Sequence, residues 1–375
     1  MSTLHLAVAL DGTGRHPASW REPGARPAEL FTARYWAGLA AEAEAGLLDF
    51  VTFEDGLALQ SSSPEGPDER TDRVRGRLDA VLTAARIAPL TRHIGLVPGV
   101  TATHTEPFHI SKAIATLDHV SRGRAGLHVQ VSGLPYEAAH FGRRAFPVGG
   151  AELHAEAADH VEVVRRLWDS WEDDAEIRDV ATGRFVDRDK LHYIDFEGPH
   201  FSVRGPSITP RPPQGQPPVT AASGVLDGTA DLVYVSARDA DGARTAASRV
   251  AGDPPHVFGD LTVFLDQDGP AAAARLARLD ELDELDGGPY TDDTATFTGT
   301  PAQLADLLQE WRAAGLTGFR LRPGVIAQDL PAITRSLVPE LQRRGVFRRA
   351  YGADGLRGLL GLDRPGNRYA RPPAA

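Results

Sequence analysis

Residues 123–132 read GRAGLHVQVS, and in them His128, Gln130 and Ser132 alternate with Val129 and Val131. In a strand that spacing puts the three polar side chains along one face and the valines along the other. An imidazole, an amide and a hydroxyl in line can hold a polar ligand, and the imidazole can also move a proton near neutral pH. His16 in GRHPASWR and His104 in TATHTE each follow an apolar run and are further candidate catalytic groups. Arg320 and Arg322 in GFRLRPG share one face of a strand and suit a phosphate or an acidic substrate. In a chain of net charge −11 they could equally pair with its own carboxylates. No H-E-x-x-H or H-x-x-x-H pattern and no G-x-S-x-G turn occurs, so metal-centred and serine-nucleophile mechanisms have little support.

The elements that must position these groups alternate. Strands are expected at Leu4–Leu10, Asp49–Phe53, His93–Val100, Ala125–Val131, Pro218–Ala222, Asp231–Ser236, Val257–Leu265 and Gly318–Arg322. Helices are expected at Phe31–Gly46, Asp72–Ala88, Glu106–Val120, Ala151–Trp171, Ala240–Val250, Pro270–Leu285, Pro301–Ala314 and Leu330–Arg344. Eight strands nearly all separated by helices fit an α/β fold, a single (β/α)8 TIM barrel over residues 1–350. Residues 172–216, charged and Pro-rich, are read as an insertion after the fourth helix, and 351–375 as a C-terminal extended arm. Only residues 223–230 separate strands five and six, too few for a full crossover helix, so that crossover is expected to be shortened. A doubly wound sheet is disfavoured because no G-x-G-x-x-G follows the first strand.

A TIM barrel keeps its site at the C-terminal ends of its strands. There the sequence places Asp11 and Gly12, Glu54 to Gly56, Thr101 to His104, Gln130 to Gly133, Ser223 and Gly224, and Arg320 to Pro323. The acidic balance argues against nucleic acid or an anionic membrane as partner. The absence of cysteine excludes disulfides and thiolate chemistry and suits a cytoplasmic protein. No apolar stretch nears the about 18 residues of a membrane span, and the N-terminus lacks the pattern of a signal peptide.

Six stretches in order, LHLAVALDGTGRHPASWR, LLDFVTFED, TEPFHISKAIATLDHVSRGRAG, LWDSWEDDA, HYIDFEGPHFSVRGPSITPRPPQGQP and LVPELQRRGVFRRAY, resemble the bacterial luciferase-like flavin monooxygenases. The closest branch is that of nitrilotriacetate, pristinamycin-synthase and dibenzothiophene-sulfone monooxygenases. The resemblance implies a two-component enzyme. Reduced FMN would come from a separate flavin reductase, O2 would be activated on it, and a small organic substrate would be oxygenated by a homodimer. It also implies cofactor-binding roles for Asp55 at the end of strand two and Thr103 after strand three. His16 would face substrate.

Three departures stand out. The family carries Trp and Asn where this chain has Leu127 and His128, which turns His128 toward the flavin or substrate. It places His and Tyr at Gly150 and His154, so a phosphate role would fall to His154. It carries a G-A-S-x-x-G turn and a full helix after strand five, where this chain keeps only Ser223 and Gly224 as phosphate donors. Arg320 and Arg322 are the expected replacements. Two other readings stay open: a non-catalytic or partner subunit with impaired flavin binding, and an enzyme that uses a deazaflavin for hydride transfer.

Overall fold

The eight apolar runs become eight parallel strands: β1 His5–Leu10, β2 Phe50–Phe53, β3 Gly95–Thr101, β4 Leu127–Gln130, β5 Val219–Ala222, β6 Leu232–Ser236, β7 His256–Leu265 and β8 Gly318–Pro323. They pair in sequence order, and β8 closes onto β1 with Ala7 opposite Arg320. The computed structural model describes residues 4–61, 63, 66–226, 228–283 and 290–370. The expected helix end at Leu285 and the last five residues of the arm lie outside the described residues. Alternation within each strand sorts the side chains. Leu6, Val8 and Leu10 join the large core between barrel and helices, while Ala7 joins a smaller core inside the barrel with Phe50, Val97, Leu232, Tyr234 and Phe258.

The helices α1 Ala33–Ala45, α2 Ala80–Ile87, α3 Pro107–Ser121, α4 Pro135–Phe141, α5 Gly150–Asp169, α6 Ala240–Arg249, α7 Gly269–Asp283 and α8 Pro301–Ala313 follow. The expected final helix runs from Ile326 to Arg343 with a π turn at Ile333–Leu337. Two expectations shift. The second helix begins at Ala80 rather than Asp72, because Asp79 caps it by accepting from the Leu82 amide. A ninth parallel strand, Ala295–Gly299, lies outside β7, with Ala295 opposite Leu261.

Between β5 and β6 no helix forms among the described residues. There the Val225 amide donates to the Ala222 carbonyl and the Thr229 amide to the Leu226 carbonyl, with Leu226 and Ala230 buried in place of a helix face. The insertion 172–216 holds two small antiparallel pairs, Glu176–Asp179 with Arg184–Val186 and Phe196–Glu197 with Ser202–Val203. Within the segment expected as an extended arm, Leu356–Leu359 form a short helix, α9. Leu356 and Leu360 close the floor of the barrel core, and the His256 Nε2–H donates to the Leu360 carbonyl at 2.7 Å.

Candidate functional site

The inward positions of β2, β4, β5, β6, β7 and β8 form a charged middle layer. Asp260 on β7 lies directly opposite Arg320 on β8. The Arg320 guanidinium donates twice to Asp260, at 2.9 and 2.6 Å, and once to Glu54 at 3.3 Å. Its carbon lies 3.9 Å from the centre of the Tyr234 ring. Burial alone would raise the Glu54 carboxyl, but the charges around it, Arg320 first, hold it at about 2. His128 lies in this layer, with Nδ1 3.1 Å from the Thr220 hydroxyl and its ring edge-on to Tyr234 at 5.3 Å. Burial, then Arg320, push its imidazole down to about 4, so it is neutral at neutral pH. The sequence expectation of an imidazole titrating near neutrality is therefore corrected. Expected as a phosphate ligand, Arg320 is instead committed to two carboxylates.

Above this layer opens a cavity of about 790 Å³ at the C-terminal end of β1 and β2. Its walls include Asp11, Arg15, Asp55, Arg77, Tyr136 and Asp292. The loop after β1 is locked onto the loop after β8. Arg15 N–H donates to the Pro323 carbonyl and His16 N–H to the Gly324 carbonyl. Gly14 permits this approach: its φ is +142°, and a Cβ there would lie 2.3 Å from the Gly324 oxygen. Arg77 donates to Asp11 at 2.9 Å. Asp55 lines the same cavity and accepts from the amides of Gly56 and Ala80 at 2.7 and 3.0 Å. Burial raises its pKa.

His16 also reaches this wall, but both its nitrogens are in use. Nδ1 accepts from the Ala18 amide at 3.1 Å, which fixes the tautomer so that Nε2–H donates to Asp280, also at 3.1 Å. Burial lowers its pKa. Its ring thus ties the loop after β1 to Asp280 on α7, an engagement that the expected catalytic role did not include.

Residues Tyr290–Thr294 bring two carboxylates over β7 and β8. Asp292 accepts from Arg15 at 2.7 and 3.2 Å and from the hydroxyls of Tyr290 and Thr262 at 2.6 Å each. Asp293 accepts from Arg322 at 2.6 Å and Arg15 at 3.1 Å.

The remaining candidates lie elsewhere on the rim. Thr103 and His104 line a second cavity of about 440 Å³ with Arg143, Arg144 and His200. The Thr103 hydroxyl accepts from the Ser132 amide at 3.0 Å. The His104 ring stacks on Phe141 at 4.9 Å and burial lowers its pKa. Helix α4 stands between the two cavities, with Tyr136 and Glu137 on the first and Ala138 and Phe141 on the second. His154 is half-buried on α5 and lines neither cavity. Ser223 is exposed on the β5 side. Its amide donates to the Tyr234 carbonyl at 2.9 Å, and Gly224 has open space where a Cβ would be. The sequence reading missed Arg15, Arg77, Tyr234, Asp260 and the pair Asp292 and Asp293. Of these, Asp260 left a signal, a lone charge inside the apolar run HVFGDLTVFL.

The luciferase-like monooxygenase family matches residues 14–253. N-acetyl-S-(2-succino)cysteine monooxygenase of Bacillus subtilis (strain 168) is 31% identical, with 98% of each chain covered. Nitrilotriacetate monooxygenase component A of Aminobacter aminovorans is 30% identical, again with 98% of each covered. These alignments run over 450 and 447 positions against a chain of 375 residues, so both relatives carry segments that this chain lacks. Among solved structures, a long-chain alkane monooxygenase (LadA) superposes with a TM-score of 0.86 at 22% identity, covering 96% of each chain.

Proposed function

This chain belongs to the luciferase-like monooxygenase family, and from that premise we propose that it is the oxygenase of a two-component system that takes reduced FMN from a separate reductase. The observation that carries the reading is the 790 Å³ cavity at the strand ends, whose size lies within the range of cofactor sites. Its donor set fits a flavin ring. Arg15 and Arg77 offer N–H groups, Asp11 and Asp55 offer oxygens, and the glycine backbone at Gly12, Gly14 and Gly56 allows close approach. Reduced flavin supplies the electrons that activate O2 for transfer to an organic substrate. The chain's own residues hold and orient it. Asp11 is fixed by Arg77 and Arg15, and Asp55 by the start of α2. Tyr290 and Thr291 stand on the cavity wall as a partial screen from water. His16 is engaged through both ring nitrogens and His128 is neutral beside Thr220, and in this reading they shape the site rather than carry protons through it.

The phosphate end is poorer. Among the described residues no helix follows β5 to offer a ready row of amides, and Ser223 and Gly224 are the groups on that side. Two or three lost charge-assisted hydrogen bonds, each about 1.5–3 kcal/mol, weaken binding by several orders of magnitude. The reading also takes the protein as a cytoplasmic homodimer. Among the described residues no helix is long and apolar enough to cross a membrane. An apolar groove lined by Ala33 and Trp36 on α1, Leu78 just before α2 and Leu82 on α2 is a face that a second copy would cover.

The test is anaerobic calorimetry with reduced FMN, reduced riboflavin and a reduced deazaflavin. We expect reduced FMN to bind weakly, within about tenfold of riboflavin, and Ser223→Ala to change that ratio less than threefold. Tighter binding of the deazaflavin would favour hydride transfer, and no binding of any flavin would favour a non-catalytic subunit.

A further inference from the structure

Helix α4 begins at Pro135 and sets Tyr136 and Glu137 on the wall of the larger cavity. Glu137 is only 8% exposed, yet among the described residues no donor or cation rests on its carboxylate. Its place in the helix would offer one. An acid three residues past the cap commonly turns back to accept from the cap amide. Here that amide, of Leu134, already donates to the Ser132 hydroxyl at 3.3 Å. The arginines of the cavity wall are spent as well. Arg15 rests on Asp292 at 2.7 Å, Arg77 on Asp11 at 2.9 Å and Arg73 on Asp283 at 2.7 Å. On the far side of α4, Arg143 and Arg144 are taken by Glu106 and Glu156. Burial lowers the pKa of His104 there, so its imidazole supplies no cation at neutral pH. Asp55 also lacks an ion pair, but it is satisfied by the Gly56 and Ala80 amides. An enclosed carboxylate with no partner is rare in folded proteins. Tyr136 beside it is bare too, since no described cation lies over its ring.

We propose that Tyr136 and Glu137 form the substrate-recognition wall of this cavity, and that they take the protonated nitrogen of a small organic amine with an apolar body. The inference rests on the oxygenase reading above. An ammonium group supplies both things that Glu137 lacks, a counter-charge and N–H donors. The electron-rich face of Tyr136 attracts the same cation. Ala58, Leu59 and Val74 line the same cavity and suit the apolar body. A neutral molecule of the same shape meets these apolar groups but leaves Glu137 without a counter-charge. An organic acid meets like charge. The glycines and carboxylates assigned to the flavin follow β1 and β2, whereas Tyr136 and Glu137 come from α4. One cavity of about 790 Å³ therefore offers a cofactor wall and a separate substrate wall.

The experiment titrates the whole protein with cyclohexylamine, cyclohexanol and cyclohexanecarboxylate, one shape in three charge states, by calorimetry at neutral pH and constant ionic strength. Wild type should bind the amine about tenfold more tightly than the alcohol, and the acid not measurably. Glu137→Gln, which keeps the shape and removes the charge, should bring amine and alcohol within about twofold of each other. Should that variant not fold, Tyr136→Ala carries the test and should narrow the preference about threefold. A wild-type protein that binds amine and alcohol alike, or a preference that survives Glu137→Gln or its stand-in Tyr136→Ala, would overturn the proposal. Reduced FMN and reduced riboflavin are titrated in parallel, and Glu137→Gln should leave both within about threefold of wild type. If it weakens riboflavin about tenfold instead, Glu137 holds the flavin ring and the assignment to substrate fails. If no flavin binds while the amine results hold, the cation site stands and the oxygenase reading falls.

Discussion

Arg320 and Arg322 stand two residues apart on one strand and one face, yet the middle of the barrel and its mouth treat them differently. In the middle layer Arg320 meets Asp260 in register, Glu54 across the barrel and the face of Tyr234, with the two carboxylate side chains only 8% and 9% exposed. At the mouth Arg322 meets the exposed Asp293 at 2.6 Å, stands 3.6 Å from the buried carboxylates of Asp260 and Asp292, and retains a buried Nε without a hydrogen-bond partner among the described residues. The difference shows what position along a barrel strand does to the same residue type. Deep in the barrel an ion pair must be complete, because water cannot make up a missing contact. At the rim the closest carboxylate, Asp293, is already in contact with water, so a looser pair is tolerated there.

The largest expected effect sharpens this contrast. Arg320→Ala leaves two buried carboxylates without their cation and should cost about 3–5 kcal/mol of stability in urea unfolding. Arg322→Gln should cost roughly 1–2 kcal/mol, because Asp293 returns to water. Equal losses would erase the distinction between layer and mouth. The next effect is at the floor. Leu356→Ala opens a hole beneath Phe50 and Phe258 and should cost about 3 kcal/mol while leaving flavin binding at the mouth unchanged. A changed affinity there would show that floor and mouth are coupled.

The third prediction concerns charge in the middle layer. The folded His128 imidazole resists a proton down to about 4, whereas the unfolded one takes it near 6.5. The unfolded state therefore binds more protons between those values, and stability rises with pH across that window. Relative to His128→Asn, wild type should lose about 2.5 kcal/mol at pH 4.5 and nothing above pH 7.5. Parallel stability curves for the two proteins would place His128 in a more hydrated setting than the middle layer provides.

The barrel was legible because its strands are apolar runs of the right length, bounded by Gly, Pro and Asp. The strand Ala295–Gly299 was not, since ATFTG is partly exposed and lies on the outer flank of β7, so it carries little of the apolar signal. The start of α2 was misplaced because residues 72–79 have helix-compatible spacing, whereas ion pairs from Arg70 and Arg73 to Asp283 and from Arg77 to Asp11 draw them across the mouth. At the site, Asp55, Thr103 and the inward row of β4 could be named from strand ends. Asp260 could not be assigned a role until register set it opposite Arg320, and Asp292 and Asp293 reach the site from a segment between α7 and the outer strand. Proximity of this kind is made by folding, and local spacing does not encode it.

The floor plug has a consequence for how the protein is made. The ribosome delivers β1 first, but β1 gains its second neighbour only when β8, some 310 residues later, has emerged, and Leu356 and Leu360 follow later still. Through most of synthesis the nascent chain holds a curved, open sheet with an unpaired β1 edge and a bare apolar interior. That is a surface for chaperones to cover and for other nascent chains to stick to. Closing the ring and sealing its base thus wait until β8 and then α9 have emerged. A message cut short just before codon 356 would yield a chain with every strand and an open bottom, a product for the quality-control proteases.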